Sequence, residues 1–287
     1  MRSFPLPVLF RQKIPSGPVF FKLLDTLSQQ QLHTVCEEAK CPNRTDCYAR
    51  GTLTLQILGD LCTRHCNFCA EKTGVPLAPE LDEPQRILKA VKELKLKHLV
   101  LTAPARDDLK DGGASQFAQT INLLKNNLPD LTIEILISDL KGDEESLKIV
   151  LESKPNIFNH NIETVERLTQ QVRAKATYSR SLKVLKNASL YQPNIKTKSG
   201  IMVGLGESLN EMYQTLLDLR KSKAQLLTVG QYLQPSFKHL PVQKFYTLEE
   251  FNQIKKMAEE LGFEKIFCGP KIRSSFHADE MIYENAH

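Results

Sequence analysis

The sequence predicts an α/β fold: a partial (β/α)6 TIM-like barrel with an N-terminal and a C-terminal extension. Two observations carry this. From residue 52 onward, short β-prone apolar runs alternate six times with helical segments of 3.6-residue periodicity. The stretches that follow the strands are also unusually rich in polar residues and glycine, as the active rim of such a barrel would be. The expected division is 1–50 as N-terminal extension, 51–262 as the barrel and 263–287 as C-terminal extension.

Residues 1–50 show no clean strand pattern. Pro15 to Pro18 reads as a turn or extended arm, and 23–31 as a short helix. Candidate strands follow at 52–58, 98–102, 132–137, 157–161, 199–205 and 226–232. Candidate helices are 84–96, 114–127, 144–153, 179–190, 209–222 and 248–261. In the first of these helices Ile87, Ala90, Val91 and Leu94 recur at 3/4 spacing and mark one buried face. Strand–helix units in series argue for a parallel sheet, and closure or partial closure is its economical arrangement. The loops after the strands then share one face. They hold Gly59-Asp60, the run Arg106 to Gly113, Asn159 to Thr164, Gly200 to Glu207 and Gly230 to Ser236.

Composition excludes several classes. The formal net charge of +5 favours an acidic partner only mildly. Tryptophan is absent and aromatics are few, so there is no basic–aromatic stripe for nucleic acid. No apolar run approaches the roughly 20 residues of a membrane span. The N-terminus carries no acid before Asp25, and it is too short and proline-broken for a signal peptide. Clustered thiols fit a reducing cytoplasm.

Six of the seven cysteines lie between Cys36 and Cys69. Cys36, Cys41 and Cys47 form a C-x4-C-x5-C triplet; Cys62, Cys66 and Cys69 form C-x3-C-x2-C. Short spacings bring several thiolates to one point, which suits metal. Disulfide frameworks belong to small secreted domains and fit poorly here. Zinc would require four ligands, and each triplet offers three, with His33 and His65 available as fourths. Iron–sulfur clusters are held by cysteine thiolates, and three on a four-iron cluster leave one iron open. The residues alone leave zinc and iron–sulfur as alternatives.

C-x3-C-x2-C just after a strand resembles the signature of radical S-adenosylmethionine (SAM) enzymes. C-x4-C-x5-C upstream of it resembles the auxiliary-cluster motif of the lipoyl synthases. Arg273-Ser274-Ser275-Phe276 resembles the R-S-S-Y motif of the same family. The resemblance runs from about residue 15 to 280, and the three motifs occur in the family's order. It implies a radical SAM barrel with two [4Fe-4S] clusters and SAM as cofactors. Cys62, Cys66 and Cys69 would hold the SAM-binding cluster, whose open iron takes the amino and carboxylate groups of SAM. That cluster then reduces SAM to a 5′-deoxyadenosyl radical. Cys36, Cys41 and Cys47 would hold the auxiliary cluster, with an oxygen ligand from Ser275 and Ser274 as the fallback. Phe68 would be a lid over the SAM-binding cluster.

For SAM, Asn161 and Glu163 resemble the ribose-contacting pair of the related biotin synthases, although a helix cap would use the same residue types. Gly204 and Glu207 belong to a stretch resembling the glycine-bearing strand under the adenine. Arg180 would pair with the SAM carboxylate, and His160 reads as a hydrogen-bonded structural histidine.

The activity implied is sulfur insertion at C6 and C8 of an octanoyl group on a lysine of lipoyl carrier proteins. The carriers implied are the glycine cleavage H protein and the E2 lipoyl domains of 2-oxoacid dehydrogenases. Ferredoxin or flavodoxin would supply electrons and an iron–sulfur carrier would serve the auxiliary site; neither nucleic acid nor membrane is expected. A tRNA methylthiotransferase would add an N-terminal cluster domain and an RNA module, neither visible here; a zinc-binding module is the non-enzymatic alternative. The sequence departs from the family in Phe276 for the usual tyrosine, Tyr48 for tryptophan and Ala103-Pro104-Ala105 for Ser-Val-x. Cys268 belongs to neither triplet and reads as a buried hydrophobe.

Overall fold

The computed structural model describes residues 18–38, 41, 43–49 and 52–281. The turn expected at Pro15 to Pro18 falls largely outside them. The elements run in this order: α1 (Pro18–Gln29), β1 (His33–Thr34), α2 (Val35–Glu38), α3 (Arg44–Ala49), β2 (Thr54–Gln56), β3 (Leu61–Cys62), β4 (Lys72–Thr73), α4 (Glu83–Leu94), β5 (His98–Thr102), α5 (Ala114–Asn127) and β6 (Thr132–Leu136). Then come α6 (Glu144–Glu152), β7 (Ile157–Asn159), α7 (Thr169–Val172), α8 (Tyr178–Tyr191), β8 (Lys196–Val203), α9 (Leu209–Lys221), β9 (Leu226–Gln231), α10 (Leu248–Glu260) and β10 (Lys265–Gly269).

The main sheet has the order β1-β2-β5-β6-β7-β8-β9-β10. From β2 to β10 every neighbouring pair is parallel. Helices return the chain between these strands, so β5 and β9 are buried at every residue, as a parallel sheet covered on both faces requires. The C-terminal strand ends therefore share one rim. β2 and β10 are not hydrogen-bonded to each other, which leaves the barrel partial.

Side-chain caps fix several helix starts. Asp143 accepts from the Ser146 amide at α6, and Thr177 from the Arg180 amide at α8. Ser208 with Glu211, and Thr247 with Glu250, form full capping boxes at α9 and α10.

Several elements differ from the sequence reading, among them β7, which ends at Asn159 rather than 161, and β8, which runs Lys196–Val203 rather than 199–205. The strand expected at 52–58 is shortened to β2, because Leu58 and Gly59 take positive φ values of 67° and 84° and turn the chain out of the sheet. A Cβ on Gly113 would stand 2.3 Å from the Leu58 side chain, so only glycine accommodates this turn. The helix expected at 23–31 is α1, beginning at Pro18 and ending at Gln29. The segment before residue 50 also supplies β1, an antiparallel edge partner of β2. The presumed C-terminal extension opens with β10, a seventh parallel strand on β9. Among the described residues no helix is long and apolar enough to cross a membrane.

Candidate functional site

The second cysteine triplet lies on a loop pinned at both ends and from several sides. β3 and β4 pair parallel and close its base, with Cys62 opposite Thr73. The Arg64 guanidinium grips Asp107 bidentately at 2.8 and 2.9 Å and reaches Asp139 at 2.7 Å. The Asn67 amide donates to the Val172 carbonyl, and His239 bonds the Cys69 carbonyl at 2.9 Å. Two sulfurs already accept backbone hydrogen bonds: Cys62 from the Arg64 amide and Cys66 from the Ala174 amide, each at 3.3 Å. Such bonds favour a thiolate. The residues after β5, β6 and α7 thus hold the cysteine loop, as the polar run Arg106 to Gly113 suggested.

The first triplet is brought alongside by the N-terminal segment. Cys36 on α2 and Cys47 on α3 are buried, and Cys41 is half-buried between them. Tyr48 is fully buried, hydrogen-bonds the Thr34 hydroxyl at 2.7 Å and packs against Phe20. Its phenol anchors α3 against β1. Both triplets line one cavity of about 540 Å³, together with Phe68.

The C-terminal motif closes over the same cavity. A Cβ on Gly230 would meet the Ile272 carbonyl oxygen at 2.0 Å. Glycine at the end of β9 is what allows residues 272–276 to lie across it. Asn43, between two cysteines of the first triplet, donates to the Lys271 carbonyl. Arg273, Ser274, Ser275 and Phe276 all line the cavity. Arg273 has no carboxylate partner among the described residues; its guanidinium lies beside Cys41, and burial pushes its pKa down. The Ser274 hydroxyl donates to Asn161 Oδ1 at 2.8 Å and accepts from Asn159 Nδ2 at 2.9 Å. Ser275 makes no hydrogen bond to any described residue, so its oxygen is free for another partner.

Of the five expected SAM contacts, the structure brings two to the cavity. Asn161 and Glu163 line it, with Glu163 at φ 67°. Burial pushes the Glu163 carboxyl up, opposed by Arg173 and by a hydrogen bond from Asn161. Gly200 lines it too, and a Cβ there would press on Asn161 Oδ1 at 2.7 Å. Arg180, Gly204 and Glu207 do not line it. Arg180 is half-buried behind the lining, paired with the cavity-wall residue Asp139 at 3.1 Å and donating to the Lys175 carbonyl at 3.0 Å. Glu207 folds back on its own turn, accepting from the Gly204 and Leu205 amides at 2.6 and 2.9 Å. His160 is buried between the Ile137 carbonyl and the Ser181 hydroxyl, and burial pushes its pKa down to about 4. Cys268 lies off the cavity and bonds the Phe251 carbonyl.

Residues 57–219 match the family model described as the radical SAM superfamily. Residues 2–41, which include Cys36 and Cys41, match the model of the N-terminal domain of lipoyl synthase of the radical SAM family. The lipoyl synthase of Halalkalibacterium halodurans is 50% identical over 279 residues, 97% of this chain and 92% of its own length. The chain belongs to the lipoyl synthases. Lipoyl synthase from Staphylococcus aureus (strain JH9) is also 50% identical, over 98% of this chain and 92% of its own. Among solved structures, methylornithine synthase superposes with a TM-score of 0.54 at 16% identity, covering 75% of this chain and 70% of that one. Streptococcus suis SuiB bound to precursor peptide SuiA gives 0.55 at 13% identity, covering 87% and 52%. These two share the fold.

Within this lipoyl synthase fold the thiols suit iron–sulfur clusters. Burial and the neighbouring Cys41 push the Cys36 thiol up to about 12. Burial pushes the Cys62, Cys66 and Cys69 thiols up as well, and these three also lie close enough to disfavour each other's charge. Grouped, buried thiols of this kind become good ligands once a metal centre displaces their protons.

The sequence reading missed Arg173 and Glu71. Arg173 is buried and lines the cavity beside Cys66 and Glu163. Among the described residues it bonds only through Nη1, to the Ser181 hydroxyl at 2.8 Å and the Ile162 carbonyl at 3.3 Å. Glu71 accepts from Gln56 at 3.4 Å, and burial pushes its carboxyl up to about 7.

Proposed function

We propose that this enzyme inserts sulfur at C6 and C8 of an octanoyl group held on a lysine of a lipoyl carrier protein. The single observation that carries the reading is that two cysteine triplets and the free Ser275 hydroxyl line one cavity. Cys62, Cys66 and Cys69 hold a SAM-binding [4Fe-4S] cluster; Cys36, Cys41, Cys47 and Ser275 hold an auxiliary one. The bound clusters and SAM supply the radical chemistry and the sulfur that unactivated C–H bonds demand.

The chain's own residues bind, orient and exclude water. Asn161 and Glu163 take the ribose hydroxyls. Arg173, rather than Arg180, which does not line the cavity, takes the SAM carboxylate with the guanidinium nitrogens that bond no described residue. Gly204 and Glu207 shape the turn after β8 and leave the adenine to the Gly200 to Met202 backbone, which lines the cavity. Ser275 offers the first triplet a hard oxygen donor among soft thiolates, hence one weakly held iron.

The division into 1–50, 51–262 and 263–287 follows these roles, with β10 as the barrel edge that delivers the C-terminal motif. The free thiols suit a reducing cytoplasm. The carriers are the glycine cleavage H protein and E2 lipoyl domains; ferredoxin or flavodoxin supplies electrons, and an iron–sulfur carrier restores the auxiliary site.

The test is to reconstitute the protein anaerobically, add SAM, reductant and an octanoyl-lysine peptide, and weigh the peptide. A gain of two sulfurs, with loss of two hydrogens once the dithiol is oxidised to the ring, supports the reading; an unchanged peptide beside abundant deoxyadenosine contradicts it.

A further inference from the structure

A buried polar chain links the barrel interior to both halves of the site. Lys198 on β8 and Glu134 on β6 are fully buried and paired at 2.9 and 3.1 Å. Glu134 also accepts from Asn159 Nδ2 at 2.9 Å. An ionised carboxylate only accepts, so it dictates which way the Asn159 amide points. The reverse orientation would set Oδ1 against the carboxylate. The chosen one holds even though Asn159 Oδ1 is left buried without a partner.

The same Nδ2 donates to Ser274 Oγ at 2.9 Å. The Ser274 proton is therefore directed onward to Asn161 Oδ1 at 2.8 Å. That in turn leaves Asn161 Nδ2 as a donor toward Glu163 and the cavity. Gly200 makes room for this placement of Oδ1. Ser274 is thus hydrogen-bonded on one side to the strand end and on the other to a SAM-pocket amide, and its chain neighbour is Ser275.

We propose that Ser274 is a positioning residue shared by the two cofactor sites. It orients the Asn161 amide for the SAM ribose and, through the same hydroxyl, holds the segment that presents Ser275 to the first triplet. SAM binding and the order of the C-terminal segment are therefore coupled. The proposal rests on the reading of Asn161 as a SAM contact.

The test uses the reconstituted two-cluster protein without reductant, so that SAM binds uncleaved. Two quantities are read: the SAM dissociation constant, and amide hydrogen–deuterium exchange of residues 270–281 with and without SAM. In the native chain SAM slows exchange in this segment. In Ser274→Ala, with iron content unchanged, SAM binds about five- to tenfold more weakly, the loss of one oriented hydrogen bond, and exchange in the segment no longer responds to SAM. Ser274→Thr, which keeps the hydroxyl, restores both.

Native affinity and a native exchange response in Ser274→Ala overturn the proposal, as does a native segment that ignores SAM. Asn161→Ala tells the two failures apart. If it weakens SAM binding while Ser274→Ala does not, the shared role of Ser274 alone is wrong. If Asn161→Ala binds SAM normally, the reading of the ribose contact falls and the proposal with it.

Discussion

Replacing Arg173 by glutamine, beside the same change at Arg180, separates the arginine the sequence pointed to from one it missed. Arg173 is buried on the cavity wall, and its Nε and Nη2 make no hydrogen bond to a described residue. A guanidinium so placed gives a ligand carboxylate a charge-assisted pair, of about 1.5–3 kcal/mol. Arg173→Gln should therefore raise the SAM dissociation constant by about 10- to 150-fold. The Arg180 side chain does not line the cavity; it is 31% exposed and paired with Asp139, a buried residue of the cavity wall. Asp139 keeps Arg64 as a partner when Arg180 is replaced, so Arg180→Gln should shift SAM affinity by no more than about fivefold, the equivalent of about 1 kcal/mol. Equilibrium dialysis of SAM against the unreduced two-cluster proteins, with iron counted in each, makes the comparison. The reasoning is refuted if Arg180→Gln weakens SAM binding by more than tenfold while Arg173→Gln binds like the native chain.

Ser275→Cys should retain both clusters and SAM cleavage yet lose sulfur insertion, and Ser275→Ala should lose insertion too; peptide mass and iron content decide it, and an active Ser275→Ala removes the oxygen-ligand role. His160 is kept neutral, first by burial and then by the nearby Arg173 charge, with its pKa lowered from 6.5 to about 4. The unfolded chain then binds the extra proton between those values, so this group costs stability as pH falls from about 6.5 to about 4, by up to about 3 kcal/mol. Urea unfolding across that window should show a flatter slope in His160→Gln, and an unchanged slope assigns the acid sensitivity elsewhere. Gly230→Ala drives a methyl into the Ile272 carbonyl, so exchange in residues 270–281 should rise and sulfur insertion fall. Gly269→Ala, whose Cβ meets nothing closer than 3.6 Å, should stay near native in both, and equal behaviour of the two contradicts the close-approach argument.

The helices were legible because periodicity is local, as Ile87, Ala90, Val91 and Leu94 show at 3/4 spacing; the capping boxes of Ser208 with Glu211 and Thr247 with Glu250 agree with it in the structure. The cysteine triplets were legible because ligand spacing is a local property. β1 was not, since two residues pair only because β2 presents an open edge. β10 was hidden in a segment read as a tail, and only the exposed ladder of β9 makes it a strand. Arg173 looks like a surface arginine in Gln-Gln-Val-Arg-Ala-Lys, and it is packing against α8 that buries it beside Cys66. Of the Gly200 to Glu207 run, Gly200 to Met202 line the cavity whereas Gly204 and Glu207 do not, because Glu207 satisfies its own turn, a local contact that glycine spacing does not reveal. Ser275 was preferred over Ser274 through the resemblance alone; the bonds of the Ser274 hydroxyl to Asn159 and Asn161 are non-local and supply a physical reason for the same order.

The central claim is that the two triplets divide the labour within one cavity, and deoxyadenosine measured together with peptide mass tests it most directly. In Cys62→Ala, Cys66→Ala and Cys69→Ala, SAM should not be cleaved and the octanoyl peptide should be unchanged. In Cys36→Ala, Cys41→Ala and Cys47→Ala, deoxyadenosine should still form, no sulfur should be added, and iron should fall by about half as two equal clusters become one. A first-triplet variant that still adds two sulfurs, or a second-triplet variant that still cleaves SAM, would contradict the account.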